Sequence, residues 1–89
     1  MEKINLKEFK DECKKLQGKN MNIKISKIIE TTIKIENAQI IINSNRILIS
    51  NEAYKEINID INYVSNFLKE NKTLKLQLDT LLAISINEE

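Results

Sequence analysis

The chain contains no histidine and no proline, and it has one glycine and one cysteine. Without histidine, no site can use an imidazole as a base or as a metal ligand. A single glycine excludes the glycine-rich loops that bind phosphate, and a single cysteine excludes an internal disulfide and a cysteine-based zinc site. We therefore expect no cofactor, no metal site and no enzymatic activity.

Long apolar runs are also absent. Nothing in the sequence approaches the roughly 18 apolar residues that a membrane-spanning helix needs. The first ten residues, MEKINLKEFK, lack the apolar core of a secretory signal. These absences predict a cytoplasmic protein with no membrane contact. Because 89 residues suffice for one core, we expect a single domain over residues 1–89.

Isoleucine, asparagine and lysine dominate what is present. Their codons are rich in A and T, which is typical of AT-rich bacterial and mobile-element genomes. The net charge is +1 but is unevenly divided. Residues 1–35 carry nine lysines against five acidic residues, whereas residues 36–89 carry five basic and eight acidic residues. The basic first part makes nucleic acid a partner to consider.

An N-terminal helix is predicted over about residues 6–17. Asn5 is a favourable N-cap, Glu8 stands three residues on as in a capping box, and Gly18 follows where a left-handed residue ends a helix. Apolar residues spaced by three and four share one face of this helix: Leu6, Phe9, Cys13 and Leu16.

Over about residues 21–87 the apolar period changes to two, as in an antiparallel sheet with one dry face and one wet face. The predicted fold class is therefore α+β. Its N-terminal helix packs on a curled antiparallel sheet of five or six strands, which stays half-open or closes into a small β-barrel. The strands from Ile40 onward resemble the meander of pleckstrin-like and Sm-like domains, and this resemblance of fold implies no function.

Pairing arithmetic predicts two hairpins. A two-residue turn at Ser44-Asn45 and a loop at residues 79–81 both bring apolar residues opposite each other. The predicted pairs are Ile40–Ile49, Ile41–Leu48 and Ile42–Ile47 in the first hairpin, and Leu74–Ile86, Leu76–Ile84 and Leu78–Leu82 in the second. Two segments stay open. Residues 28–33 form a tight turn or a bulged strand, and residues 62–71 form a short helix or a strand entering a turn at residues 70–72.

The first hairpin, AQIIINSNRILIS (residues 38–50), is apolar on both faces. Ile41 and Leu48 face away from their apolar neighbours in any regular hairpin. Three explanations compete: a cover on both sides by the helix and residues 62–71, a small exposed patch, or a contact site for a second copy or another protein. The candidate protein-interaction residues are Ile41, Leu48, Arg46 and Tyr54.

The remaining candidates are charged or nucleophilic side chains. The candidate nucleic-acid residues are Lys7, Lys10 and Lys14, which form a helical stripe, and Lys19, which follows it. These lysines either follow phosphates or cover the edge of a core. Cys13 lies on the apolar stripe and is expected to be a buried structural thiol. Glu56 and Asp60 would be about 13 Å apart along one strand, so a solvated face is expected there rather than a metal site.

The predicted function is that of a small non-enzymatic protein-binding module, of the kind that phages and other mobile elements use as regulators or inhibitors. Its expected partner is another protein or a second copy. The alternative is a small nucleic-acid-binding β-barrel that uses the lysine stripe, although single-strand binding usually adds aromatic side chains on which bases stack.

Overall fold

A computed structural model of the chain describes residues 1–27, 29–51, 56–78 and 82–89. The elements in chain order are β1 (Glu2–Ile4), α1 (Leu6–Lys14), β2 (Lys19–Ser26), β3 (Glu30–Ile42), β4 (Arg46–Ser50), β5 (Glu56–Asp60), a 3-10 turn (Ile61–Tyr63), β6 (Asn66–Glu70), β7 (Thr73–Gln77) and β8 (Ala83–Glu88). All neighbouring strands are antiparallel, in the order β1-β6-β7-β8-β2-β3-β4-β5. The predicted α+β class is confirmed.

The expected strand number and the barrel alternative are both wrong, because the sheet that the described residues form has eight strands and is not closed. Strand β1 has three residues, too few to show an alternating pattern, yet it pairs with β6. Strand β6 lies in the segment that was left open, where only the 3-10 turn is helical. The ends of the sheet are β1, which leads at once into the helix, and β5, whose Glu56 and Asp60 are charges typical of an edge that resists further pairing.

Both predicted hairpin registers are confirmed. In the first, Ile40 is opposite Ile49, Ile41 opposite Leu48 and Ile42 opposite Ile47. In the second, Leu74 is opposite Ile86 and Leu76 opposite Ile84, and the Leu78 N–H donates to the Leu82 carbonyl at 3.0 Å. The loop residues 79–81 lie outside the described residues.

Each of the two segments that the sequence left undecided, residues 28–33 and 62–71, contains a tight turn between strands. Ser26 pairs with Glu30, so the chain reverses tightly between β2 and β3, although residue 28 itself lies outside the described residues. Glu70 pairs with Thr73 across a two-residue connection. There Asn71 has a φ of 53°, a left-handed conformation that asparagine tolerates better than most residues.

Helix α1 begins as predicted and ends earlier. The Asn5 side chain accepts from the Glu8 N–H at 2.8 Å, the Glu8 carboxylate accepts from the Asn5 N–H at 3.1 Å, and Gly18 has a φ of 76°. The predicted end at residue 17 is wrong, because the regular helix stops at Lys14. Beyond it, the N–H groups of Lys15 and Leu16 donate to carbonyls three residues back, which tightens the last turn.

The core lies between α1 and one face of the sheet, which we call the inner face; the opposite face is the outer face. Apolar residues of α1 and of the strands form one cluster, whose members are Ile4, Phe9, Cys13, Leu16, Met21, Ile23, Ile35, Ala38, Ile40, Ile47, Ile49, Ile59, Leu74, Leu76, Ile84 and Ile86. Phe9 is 0% exposed, and its ring lies 4.9 Å from that of Phe67 on β6. Among the described residues, no helix has the length and apolar character needed to cross a membrane.

A bulge in β3 changes which side chains face inward. Met21 is opposite Ile35, but Lys19, two residues earlier, is opposite Ala38, three residues later, so β3 has one extra residue here. Asn37 takes the left-handed conformation, with a φ of 51°, and its N–H donates to the Asn20 side chain at 2.9 Å. As a result, the inward positions shift from odd numbers, as at Ile35, to even numbers, as at Ala38 and Ile40.

Beyond the bulge, a side chain bonds to the backbone of β3 on the edge that faces away from β4. The Gln17 amide donates to the Ile40 carbonyl at 2.6 Å and accepts from the Ile40 N–H at 2.9 Å. Next to it, the Gly18 N–H donates to the Ala38 carbonyl at 2.7 Å. The turn after α1 is thereby joined to the strand, and two part-buried backbone groups obtain partners.

We expect Phe9→Ala to lower the free energy of unfolding by about 3–5 kcal/mol, the usual cost of truncating a core aromatic residue. Denaturant titration measures the change. Tyr63→Ala is the matched control, because Tyr63 is 71% exposed and its truncation should change stability by less than about 0.5 kcal/mol. Equal losses in the two variants would mean that α1 is not packed on the sheet.

Gln17→Ala should destabilise the protein by about 1–3 kcal/mol, because it leaves the N–H and carbonyl of Ile40 without their bonds. Thermal melting measures the change. Gln39→Ala is the matched control, because it removes the same side chain from an exposed position nearby. A Gln17→Ala protein as stable as the control would contradict the role given to this side chain.

Candidate functional site

The outer face of the β3–β4–β5 unit carries an unusual apolar pair, Ile41 and Leu48. Ile41 is 54% exposed and Leu48 is half-buried, and the two are direct cross-strand neighbours. The adjacent Ile40 is 5% exposed and belongs to the core, so neighbouring residues of one strand have opposite environments. The predicted placement of the pair on the face opposite the helix is confirmed.

The explanation that the hairpin is covered on both sides is wrong for Ile41. Helix α1 packs on the inner face, and within residues 62–71 strand β6 pairs with β1 and β7, not with β3 or β4. The 3-10 turn lies beside the hairpin turn, where the Ile61 N–H donates to the Asn45 carbonyl, and it leaves Ile41 exposed. Because more than half of the Ile41 side chain is exposed, no described element covers it. An exposed patch and a contact site are the explanations that remain.

Polar side chains surround the apolar pair, and we call the whole surface the outer patch. On β5, Asn58 is opposite Leu48. The other polar side chains lie one cross-strand row away on either side of the pair; they are Gln39, Arg46, Ser50, Glu56 and Asp60. An apolar centre with a polar rim is the usual anatomy of a protein contact surface.

Arg46 is the one basic side chain among the described residues of the outer patch. Its backbone N–H donates to the Asn43 side chain at 2.8 Å, which fixes the residue where the Ser44-Asn45 turn enters β4. Its cross-strand neighbour Asp60 instead accepts from the Asn62 N–H at 2.9 Å. Within the described ranges, the Arg46 guanidinium forms no ion pair, so its charge is available to a partner.

Two tyrosines bear on the extent of the outer patch. Tyr54, a predicted interaction residue, lies outside the described residues. Tyr63 was not predicted, yet it is exposed in the 3-10 turn, which the Ile61 N–H anchors to the Asn45 carbonyl at 2.9 Å. No periodic signal in the sequence distinguishes this tyrosine, because a single helical turn has no repeat to recognise.

The structure divides the candidate lysines. Lys7 and Lys10 are exposed and form no ion pair with an acidic residue in the described part of the chain. Lys14 pairs with Asp11 at 3.7 Å, and Lys19 lies on β2, where it pairs with Glu88 at 2.9 Å. Lys19 therefore does not continue the helical stripe as a free cation.

Cys13 has the buried environment that its place on the apolar stripe predicts. Cys13 is 2% exposed, and burial with the nearby Glu12 charge raises the pKa of its thiol to about 12. The thiolate required for nucleophilic attack is therefore scarce at neutral pH. Within residues 1–27, 29–51, 56–78 and 82–89, no three metal-ligating side chains come together.

Comparisons with protein-family models, with curated proteins and with solved structures found no match. The function is therefore proposed from the side chains of this chain alone.

Cys13 should resist alkylation in the folded protein. The pKa of its thiol is raised to about 12 and its sulfur is buried. Iodoacetamide at pH 8 should therefore alkylate Cys13 far more slowly in the folded protein than in the same protein unfolded by denaturant. Mass spectrometry of timed samples measures the two rates. Similar rates with and without denaturant would show that α1 opens readily or does not bury this thiol.

Proposed function

We propose that the protein is a small non-enzymatic protein-binding module and that the outer patch contacts its partner. The observation that carries the proposal is the exposure of Ile41 beside Leu48 on the outer face of β3, β4 and β5, where their described neighbours are polar. A regulator or inhibitor encoded by a phage or another mobile element would act in this way, by occupying a surface of its target.

Arg46 indicates the chemistry of the partner. Its guanidinium, which forms no ion pair with a described residue, stands one row from Leu48, and arginine binds carboxylates through two parallel hydrogen bonds. A partner surface that presents an apolar side chain to Ile41 and a carboxylate to Arg46 would match both features.

A second copy of the chain fits the outer patch less well. Suppose that two copies stack their outer patches face to face, with their strands aligned. If the two-fold axis runs perpendicular to the strands, Asp60 of one copy lies against Glu56 of the other. An axis along the strands places the two Arg46 residues against each other. Because like charges in apposition weaken association, we propose a different protein as the partner.

We expect the double variant Ile41→Thr and Leu48→Lys to keep its fold and to bind the partner at least tenfold more weakly. Threonine suits an exposed strand position, and the inner face is unchanged. The partner is captured from host extract, purified and titrated calorimetrically against each variant. Arg46→Gln should weaken binding as well, whereas Lys75→Gln, elsewhere on the outer face, should not.

The neighbouring residue supplies a stability control, since Ile40→Thr should cost several kcal/mol and the double variant much less. Equal partner affinity of the wild type and the double variant would overturn the proposal. A solution mass of two chains that falls to one in the double variant would favour self-association instead. Oligonucleotide binding lost on changing Lys7, Lys10 and Lys14 to glutamine would favour the nucleic-acid alternative.

A further inference from the structure

A cavity of about 320 Å³ opens where the apolar core ends, beside the last turn of α1. Its apolar part comes from Leu16 and Leu74, which belong to the core. Its charged lining consists of four lysines and two glutamates: Lys15, Lys19, Lys69, Lys72, Glu12 and Glu88. This volume is at the lower end of the range of about 300–1,000 Å³ that is usual for small-molecule sites.

The lysines come from four separate parts of the chain. Lys15 follows α1, Lys19 begins β2, Lys69 lies on β6 and Lys72 is in the turn between β6 and β7. Lys69 is opposite the buried Leu74, so it occupies an inner-face position that an apolar residue would otherwise fill. The tertiary fold thus brings these charges together around a recess rather than along an open surface.

Two glutamates neutralise part of this positive charge. The Glu12 carboxylate contacts the Nζ atoms of Lys69 at 2.6 Å and Lys15 at 3.1 Å, and that of Glu88 contacts the Nζ atom of Lys19 at 2.9 Å. These hydrogen bonds lower the pKa of both carboxyl groups, so both are ionised at neutral pH. Four lysines and two glutamates leave the lining with a formal net charge of +2.

Lys72 is the least compensated of the four lysines. Among the described residues no carboxylate contacts its Nζ atom directly, and its charge acts on Glu88 only at longer range. Glu2 stands opposite Lys69 on β1, but it neither lines the cavity nor forms an ion pair with that lysine. A ligand with two negative charges would therefore meet at least one lysine that no described carboxylate contacts directly.

We propose that this cavity binds a small phosphorylated molecule through its phosphate group. The net charge of the lining matches a phosphate dianion, and lysine ammonium groups bind phosphate as point charges. Leu16 and Leu74 offer an apolar surface to the rest of the ligand and exclude water from one side of the ion contacts, which strengthens them. The cavity is on the inner-face side and does not depend on the outer patch.

The test uses inorganic pyrophosphate and adenosine monophosphate as probes, titrated calorimetrically at low salt. The wild type should bind both saturably, and Lys72→Gln should weaken binding at least about fivefold. Lys75→Gln is the matched control, because it removes the same charge from the outer face and should change affinity less than about twofold. Circular dichroism melts of both variants establish that they are folded.

A gain-of-affinity variant makes the test stringent. Glu88→Gln should strengthen binding severalfold by releasing Lys19, whereas Glu56→Gln, on the edge strand β5 and outside the cavity lining, should not. Absence of saturable binding by the wild type would overturn the proposal. Equal losses in Lys72→Gln and Lys75→Gln would also overturn it, since they would indicate diffuse electrostatic attraction. If both variants also bind a DNA oligonucleotide with equally reduced affinity, the lysines attract phosphates over the whole surface rather than in the cavity.

Discussion

The packing of the apolar stripe of α1 against the inner face is the interaction on which the rest of the structure depends. A helix of nine residues is too short to be stable alone in water. The inner face of the sheet, in turn, presents rows of isoleucine and leucine that need a cover. Phe9 is fully buried and packs against Phe67, so it joins the two layers. The sheet thus stabilises the short helix, and the helix covers the apolar inner face.

The outer patch follows from a constraint that this packing imposes on β3. Ile33 and Ile35 face the core from odd positions, and Ile40 faces it from an even one, so a single regular strand could not bury all three. The extra residue near Asn37 reconciles them. Once Ile40 is committed to the core, Ile41 must point outward, and its exposure is the consequence that a partner can use.

Electrostatics has a different role at the two surfaces. On the outer patch, Arg46 is a cation that forms no ion pair with any residue the structure describes, and it stands beside an apolar centre, which suits recognition of one carboxylate. At the end of α1, several lysines are held together by ion pairs with Glu12 and Glu88. Exposed ion pairs contribute little to stability, roughly 0–1 kcal/mol each. Their main effect here is to position charges around the cavity.

Local signals in the sequence were sufficient for α1 and for the two hairpins. The capping box at Asn5 and Glu8 depends on residues three apart, and the hairpin registers depend on apolar residues within one short segment. The pairing of Ile41 with Leu48, and hence the centre of the candidate contact surface, could be predicted for the same reason. The end of α1 could not, because its last turn tightens where the chain bends toward β2.

The strand count, the open sheet and the lysine cavity were decided only by the tertiary structure. Strand β1 forms because Ile4 and its neighbours find β6, more than sixty residues away in the chain, and three residues carry no period of their own. Lys69 and Glu12 are 57 residues apart and meet only when α1 lies on the inner face. The sequence by itself determined which residues are apolar and how they repeat locally, since these follow from side chains and short-range geometry. Contacts between distant segments depend on how the whole chain packs, so only the folded molecule decided where its charges converge.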